Sequence, residues 1–114
     1  MPGPFIWFDL STRDGMTARG FYERLLDWEI GEPAEGAPAA MIGGAEGPWG
    51  SISETGNGSS RWMPYVQVED VDAAAAKAVD LGARVLSEKT RGPAGWFATI
   101  EDPTGAALAL WQPA

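Results

Sequence analysis

The sequence predicts an α+β fold made of two βαβββ modules in one domain. Three observations lead there. A strand, a helix-capping aspartate and an apolar helical stripe occur twice, the second time 56 residues on: Asp14 falls on Asp70 and Trp7 on Met63. Each copy is followed by strand-like sequence broken by glycine and proline. The chain has 114 residues, room for one real core and too few for two independent domains.

In order along the chain, Phe5 to Ser11 is aromatic and apolar and reads as a strand. Asp14 then sits where a carboxylate can accept from the free N–H groups of a helix start. Ala18, Phe21, Tyr22, Leu25 and Leu26 form one helical stripe by their 3,4-spacing. Trp28 to Ile30, Ala39 to Ile42 and Trp49 to Ser53 are the strands expected next, with Gly43, Gly44, Gly47 and Gly50 blurring their ends. Module one covers about 5–54, a polar Gly/Ser-rich connector 55–60, and module two about 61–114. Module two opens with a strand from Met63 to Val68, capped into a helix by Asp70. Its stripe is Val71, Ala74, Ala78, Val79 and Leu81, closed by Gly82 in a left-handed position. Strands follow at Ala83 to Ser87, Trp96 to Glu101 and Ala106 to Trp111. The last two are joined by the Asp102-Pro103-Thr104-Gly105 turn. Neither Gly43-Gly44 nor Gly56-Asn57-Gly58 fits a phosphate-binding fingerprint, so both read as turns.

Composition excludes much chemistry. Without Cys there is no disulfide, thiolate metal site or Cys nucleophile; without His there is no imidazole ligand and no Ser-His-Asp triad. With 16 acidic and 8 basic residues the formal charge is −8, which opposes phosphate backbones and anionic lipid, so neither nucleic acid nor membrane is an expected partner. No apolar run approaches a bilayer span, and Met1-Pro2-Gly3-Pro4 lacks the basic start of a signal peptide. The expected location is cytoplasmic.

Phe5 to Leu10, Asp14, Phe21-Tyr22 and Leu26-Asp27-Trp28 together resemble the first module of the vicinal oxygen chelate superfamily, which holds the glyoxalases, extradiol dioxygenases and bleomycin-resistance proteins. Tyr65 to Asp72, Leu81-Gly82-Ala83 and Asp102 to Gly105 before a final strand resemble its second module. The likeness covers nearly the whole chain and rests on order and spacing more than on any single motif. It implies a curved mixed sheet around a central cavity, where enzymatic members hold a metal with His and Glu from the first and last strands of each module. Carried onto this sequence, those positions are Trp7, Met63, Ala109 and a residue near Ser51. None is a usual metal ligand, so the resemblance points to a metal-free member with no cofactor.

Strand alternation assigns the faces. Ile6, Phe8 and Leu10 are expected under the first helix. Trp7, Asp9, Trp49, Ser51, Met63, Tyr65, Gln67, Phe97, Thr99, Ala109 and Trp111 are expected to line the cavity. Such a lining suits a flat, largely apolar ligand that stacks on rings. For Trp7 and Trp111 the competing readings are plain cavity filling and a dimer interface. Asp9 has three: a structural ion pair with Arg61 or Arg91, an anchor for a cationic or hydrogen-bonding group, or a catalytic acid/base.

Two functions follow. One is a metal-free small-molecule binding protein that sequesters a hydrophobic or aromatic compound such as a natural-product drug. The other is a metal-independent lyase, isomerase or cyclase using Asp9 as acid/base, with Tyr65 or Gln67 as polariser. A homodimer is expected, with Trp62 or Trp96 available to an interface.

Overall fold

A computed structural model describes residues 3–31, 39–44, 47–55, 60–92 and 94–114. Most of the connector expected over 55–60 lies outside the described residues, as does the Gly56-Asn57-Gly58 turn. Among the described residues, two helices and seven strands give an α+β fold: β1 (Phe5–Thr12), α1 (Gly15–Leu26), β2 (Ala39–Gly44), β3 (Gly47–Glu54), β4 (Arg61–Gln67), α2 (Val71–Asp80), β5 (Arg84–Gly92), β6 (Gly95–Glu101) and β7 (Ala107–Pro113). The chain forms two compact units. One is residues 7–63; the other is 64–114 with the start of β1 up to Ile6.

In the first unit Asp14 caps α1, its carboxylate accepting from the Thr17 N–H at 3.0 Å and the Thr17 hydroxyl at 2.7 Å. The helix ends through Asp27 in the left-handed region, φ 55°, whose N–H reaches the Glu23 carbonyl. β3 lies parallel to β1 and antiparallel to β2. Of the strand expected at Trp28 to Ile30, only a bridge from Ile30 to Ile42 forms. The Gly43 N–H donates to the Glu29 carbonyl at 2.9 Å and the Gly31 N–H to the Met41 carbonyl at 3.0 Å, while the Ile30 carbonyl, turned away from β2, accepts from Arg19 Nη2 at 2.8 Å. Leu10, Ile30, Ala40, Ile42 and Ile52 make the core, with Ala18, Tyr22, Trp28, Trp49 and Trp62 packed on it.

The apolar stripe of α1 is wider than its contact line. Ala18 and Tyr22 meet the core, whereas Phe21, Leu25 and Leu26 are exposed. Tyr22 takes the ground beneath the helix: its ring stacks on Trp28 at 5.2 Å, and its hydroxyl accepts from Trp62 Nε1 at 3.2 Å. Of the residues expected under the helix, Leu10 is there, while Ile6 and Phe8 are exposed.

The second unit repeats the plan. Asp70 caps α2 through the Ala73 N–H at 3.1 Å, and Gly82 closes it at φ 102°, a conformation that costs glycine little. β4 runs parallel to β7, and β7, β6 and β5 are antiparallel neighbours. The core is Val71, Ala98, Ile100 and Leu110, with Ala74 and Ala78 against it; Val79 and Leu81 of the expected stripe are exposed. β5 extends past the expected Ser87 to Gly92 with two register slips. Apolar patterning stops there, but pairing continues beneath Lys89 and Arg91, both of which lie over the Trp96 ring. No helix among the described residues is long and apolar enough to cross a membrane.

Candidate functional site

The parallel pairing of β1 with β3 builds the most polar buried cluster of the first unit. Asp9 sits opposite Ser51 and Ser11 opposite Ser53. Because side chains alternate, this face is opposite the one where Leu10 and Ile52 meet the core beneath α1. Gly50 lets the strands close: a Cβ there would lie 2.6 Å from the Phe8 carbonyl oxygen.

The Asp9 carboxylate accepts three hydroxyl hydrogen bonds. Ser51 Oγ donates to Oδ1 at 2.7 Å, Ser53 Oγ to the same oxygen at 2.8 Å, and Ser11 Oγ to Oδ2 at 3.1 Å. Ser51 in turn accepts from Trp7 Nε1 at 3.0 Å. The result is a directed chain, indole to hydroxyl to carboxylate, with Asp9 9% and Ser51 6% exposed. The ion pair expected with Arg61 or Arg91 is not what holds Asp9. Neutral hydroxyls do so, because the parallel register places serines across from it and beside its own strand neighbour.

The second unit has the equivalent register: Tyr65 sits opposite Ala109 as Asp9 sits opposite Ser51. This fixes Ser51 as the counterpart of Ala109, which the glycine-rich sequence alone left blurred. Tyr65 and Phe97 lie with ring centroids 6.1 Å apart. Phe97 pairs across the ladder with Trp111, and Thr99 with Ala109. Gln67, opposite Trp111, is exposed; Met63 and Ala109 are buried. The Thr99 and Ser87 hydroxyls are 2.6 Å apart.

Trp49 goes elsewhere. Between Ile42 and Gly43 the β2–β3 register shifts, and Trp49 is left without a partner in the ladder. Such a bulge re-aims its side chain. The Trp49 ring packs edge-on to Trp28 at 4.7 Å and to Phe8 at 6.3 Å, part of the aromatic cluster on the core.

Ser11, Ser53 and Ser87 are polar members that the sequence reading did not single out as site residues. Ser11 stands two residues from Asp9 and Ser53 two from Ser51, so alternation puts both on the face of Asp9. Ser87 becomes visible only through its cross-strand pairing with Thr99.

The donor set does not suit the metal that the fold family implies. At the four ligand positions stand an indole whose N–H is committed to Ser51, a thioether, a hydroxyl and a methyl group. The nearby carboxylate already accepts three hydroxyls. Among the described residues no three of His, Cys, Asp and Glu converge.

Two surface clefts lie apart from this cluster. One of about 570 Å³ is rimmed by Glu23, Asp27, Trp28 and Glu29. The other, about 300 Å³, runs between Val71, Val85, Lys89 and Ala98. Neither is lined by a residue that the sequence assigned to the cavity.

Comparison with known proteins places the chain. The family model for the glyoxalase-like domain matches residues 6–111. CFP32 of Mycobacterium tuberculosis, provisionally named a glyoxylase, is 35% identical over 115 residues, covering 93% of this chain and 44% of its own length. The anthracycline biosynthesis protein DauV of Streptomyces sp. strain C5 is 30% identical over 118 residues, 96% of this chain and 42% of its own. The chain thus spans less than half the length of these relatives. In fold it is similar to Streptomyces coelicolor methylmalonyl-CoA epimerase, with a TM-score of 0.65, 21% identity and coverage of 100% and 99% of the two chains. It is also similar to homoprotocatechuate 2,3-dioxygenase of B. fuscum, with a TM-score of 0.70, 17% identity and coverage of 99% of this chain and 33% of that one. The chain belongs to the glyoxalase-like domain family, within the vicinal oxygen chelate superfamily.

Proposed function

We propose that the protein binds a hydrophobic, aromatic small molecule through contact area and without a metal ion. One observation carries this reading: where the family's ligand positions fall, the first unit has Trp7 tied to Ser51, and the second has a methyl group at Ala109 beside Tyr65 and Phe97. An indole held by its own N–H offers a ring of fixed orientation, and stacking on such a ring adds about 0.5–1.5 kcal/mol beyond burial. Kinship with proteins named for anthracycline biosynthesis supports a natural-product ligand. Titration with a flat polycyclic aromatic compound is expected to quench tryptophan emission to a stoichiometric end point, with the compound recovered unchanged. Trp7→Ala is expected to weaken binding; undiminished binding by that variant refutes the assignment.

A second reading, a metal-independent enzyme, draws on the same buried carboxylate. Three hydroxyl donors leave the carboxylate about one open lone-pair direction, on Oδ2, and the anchor reading is preferred because it asks for no onward proton transfer from that oxygen. Product formation abolished in Asp9→Asn with binding intact would reverse that preference.

A further inference from the structure

We propose that Asp9 anchors a cationic group with an N–H to donate, a protonated amine or protonated ring nitrogen, carried by the aromatic ligand; this rests on the binding reading above. Asp9 is nearly buried, and its partners supply hydrogen bonds but no positive charge. Within its own unit, no ion pair among the described residues includes Asp9. A carboxylate withdrawn from water without a counter-charge is held at a cost that a cationic ligand would offset. Room for one remains at the acceptor. Of about four lone-pair directions on a carboxylate, Oδ1 uses two and Oδ2 one, the latter through the longest of the three bonds. Trp7 complements this. With its N–H spent on Ser51, it has only its π-face to offer a ligand, and cations are drawn to that face.

The test compares 9-aminoacridine, a cation at neutral pH, with acridine, a neutral ring system of the same outline, by fluorescence titration of the full chain. The wild type is expected to bind the cation about ten-fold more tightly, as a hydrogen bond to a charged group allows. Asp9→Asn is expected to erase the preference while leaving acridine binding in place. Asp80→Asn removes the same unit of charge from an exposed position on α2 and is expected to keep the preference, separating the site from the overall charge of −8. Should Asp9→Asn fail to fold, Ser11→Ala serves: freeing Oδ2 of its only donor is expected to raise the preference about three-fold, and an unchanged ratio counts against the proposal. Equal binding of the two compounds by the wild type overturns the cation anchor and leaves the aromatic-binding reading standing. Binding of neither overturns both.

Discussion

Replacing Ser51 by alanine removes one oxygen from a buried position and tests the chain from Trp7 to Asp9. Two interactions go at once. The 2.7 Å hydrogen bond to the Asp9 carboxylate is of the charged kind, about 1.5–3 kcal/mol. The Trp7 N–H also loses its acceptor, which costs about 1 kcal/mol more where water cannot replace it. Together Ser51→Ala is expected to cost about 3 kcal/mol. Ser53→Ala forfeits only one bond to an oxygen that keeps Ser51, about 1.5–2 kcal/mol. Ser11, half-buried and 3.1 Å from Oδ2, is expected to cost under about 1 kcal/mol. The assay is urea unfolding followed by far-UV circular dichroism. With a slope of about 1.5 kcal/mol per molar, Ser51→Ala lowers the midpoint by about 2 M. In a Trp7→Phe background the same substitution is expected to cost about 1 kcal/mol less, because no indole N–H is left stranded. A Ser51→Ala cost below about 0.5 kcal/mol, or one smaller than that of Ser53→Ala, would refute the relay.

Two further outcomes are expected. The Thr17 hydroxyl and N–H hold the Asp14 carboxyl below its usual range. The Thr104 hydroxyl, with the Ala106 and Thr104 N–H groups, does the same for Asp102. A carboxyl lowered in the folded state contributes stability above its unfolded value of about 3.9 and loses it as pH falls through the folded value. Asp14→Asn and Asp102→Asn are therefore expected to flatten the acid limb of the urea midpoint measured from about pH 5 to pH 2, and a limb of wild-type steepness in both counts against the caps. In the core, Ile42 is fully buried, so Ile42→Ala is expected to lower stability by about 3 kcal/mol in a thermal melt. Leu25, 60% exposed on α1, is expected to stay within about 0.5 kcal/mol on the same change. A comparable loss from both would mean that the helix stripe is covered in solution.

Much of this protein is written locally. The repeat offset of 56 aligned the two caps, and both Asp14 and Asp70 make the N–H contacts that their position demands. Gly82 takes its left-handed turn, and the turn at Asp102 closes on Thr104 and Ala106. These features depend on a few consecutive residues, so composition and spacing suffice to place them. Alternation likewise put Asp9 and Ser51 on one face, since a period of two needs no partner strand to be known.

What tertiary structure alone decided depends on register between distant segments. The sequence offered Arg61 or Arg91 to Asp9; only the pairing of β1 with β3 shows three serines there, two of them more than 40 positions away. Trp49 read as a neighbour of Ser51 until a shift in register turned its ring toward Trp28. Phe21 and Leu25 satisfied the helical period yet remain exposed, because a stripe states which residues could be buried, not how broad a surface waits for them. Caps and turns are fixed by chain covalency over a few bonds, whereas a buried carboxylate takes the partners that a strand register, set by packing across the whole sheet, brings to it.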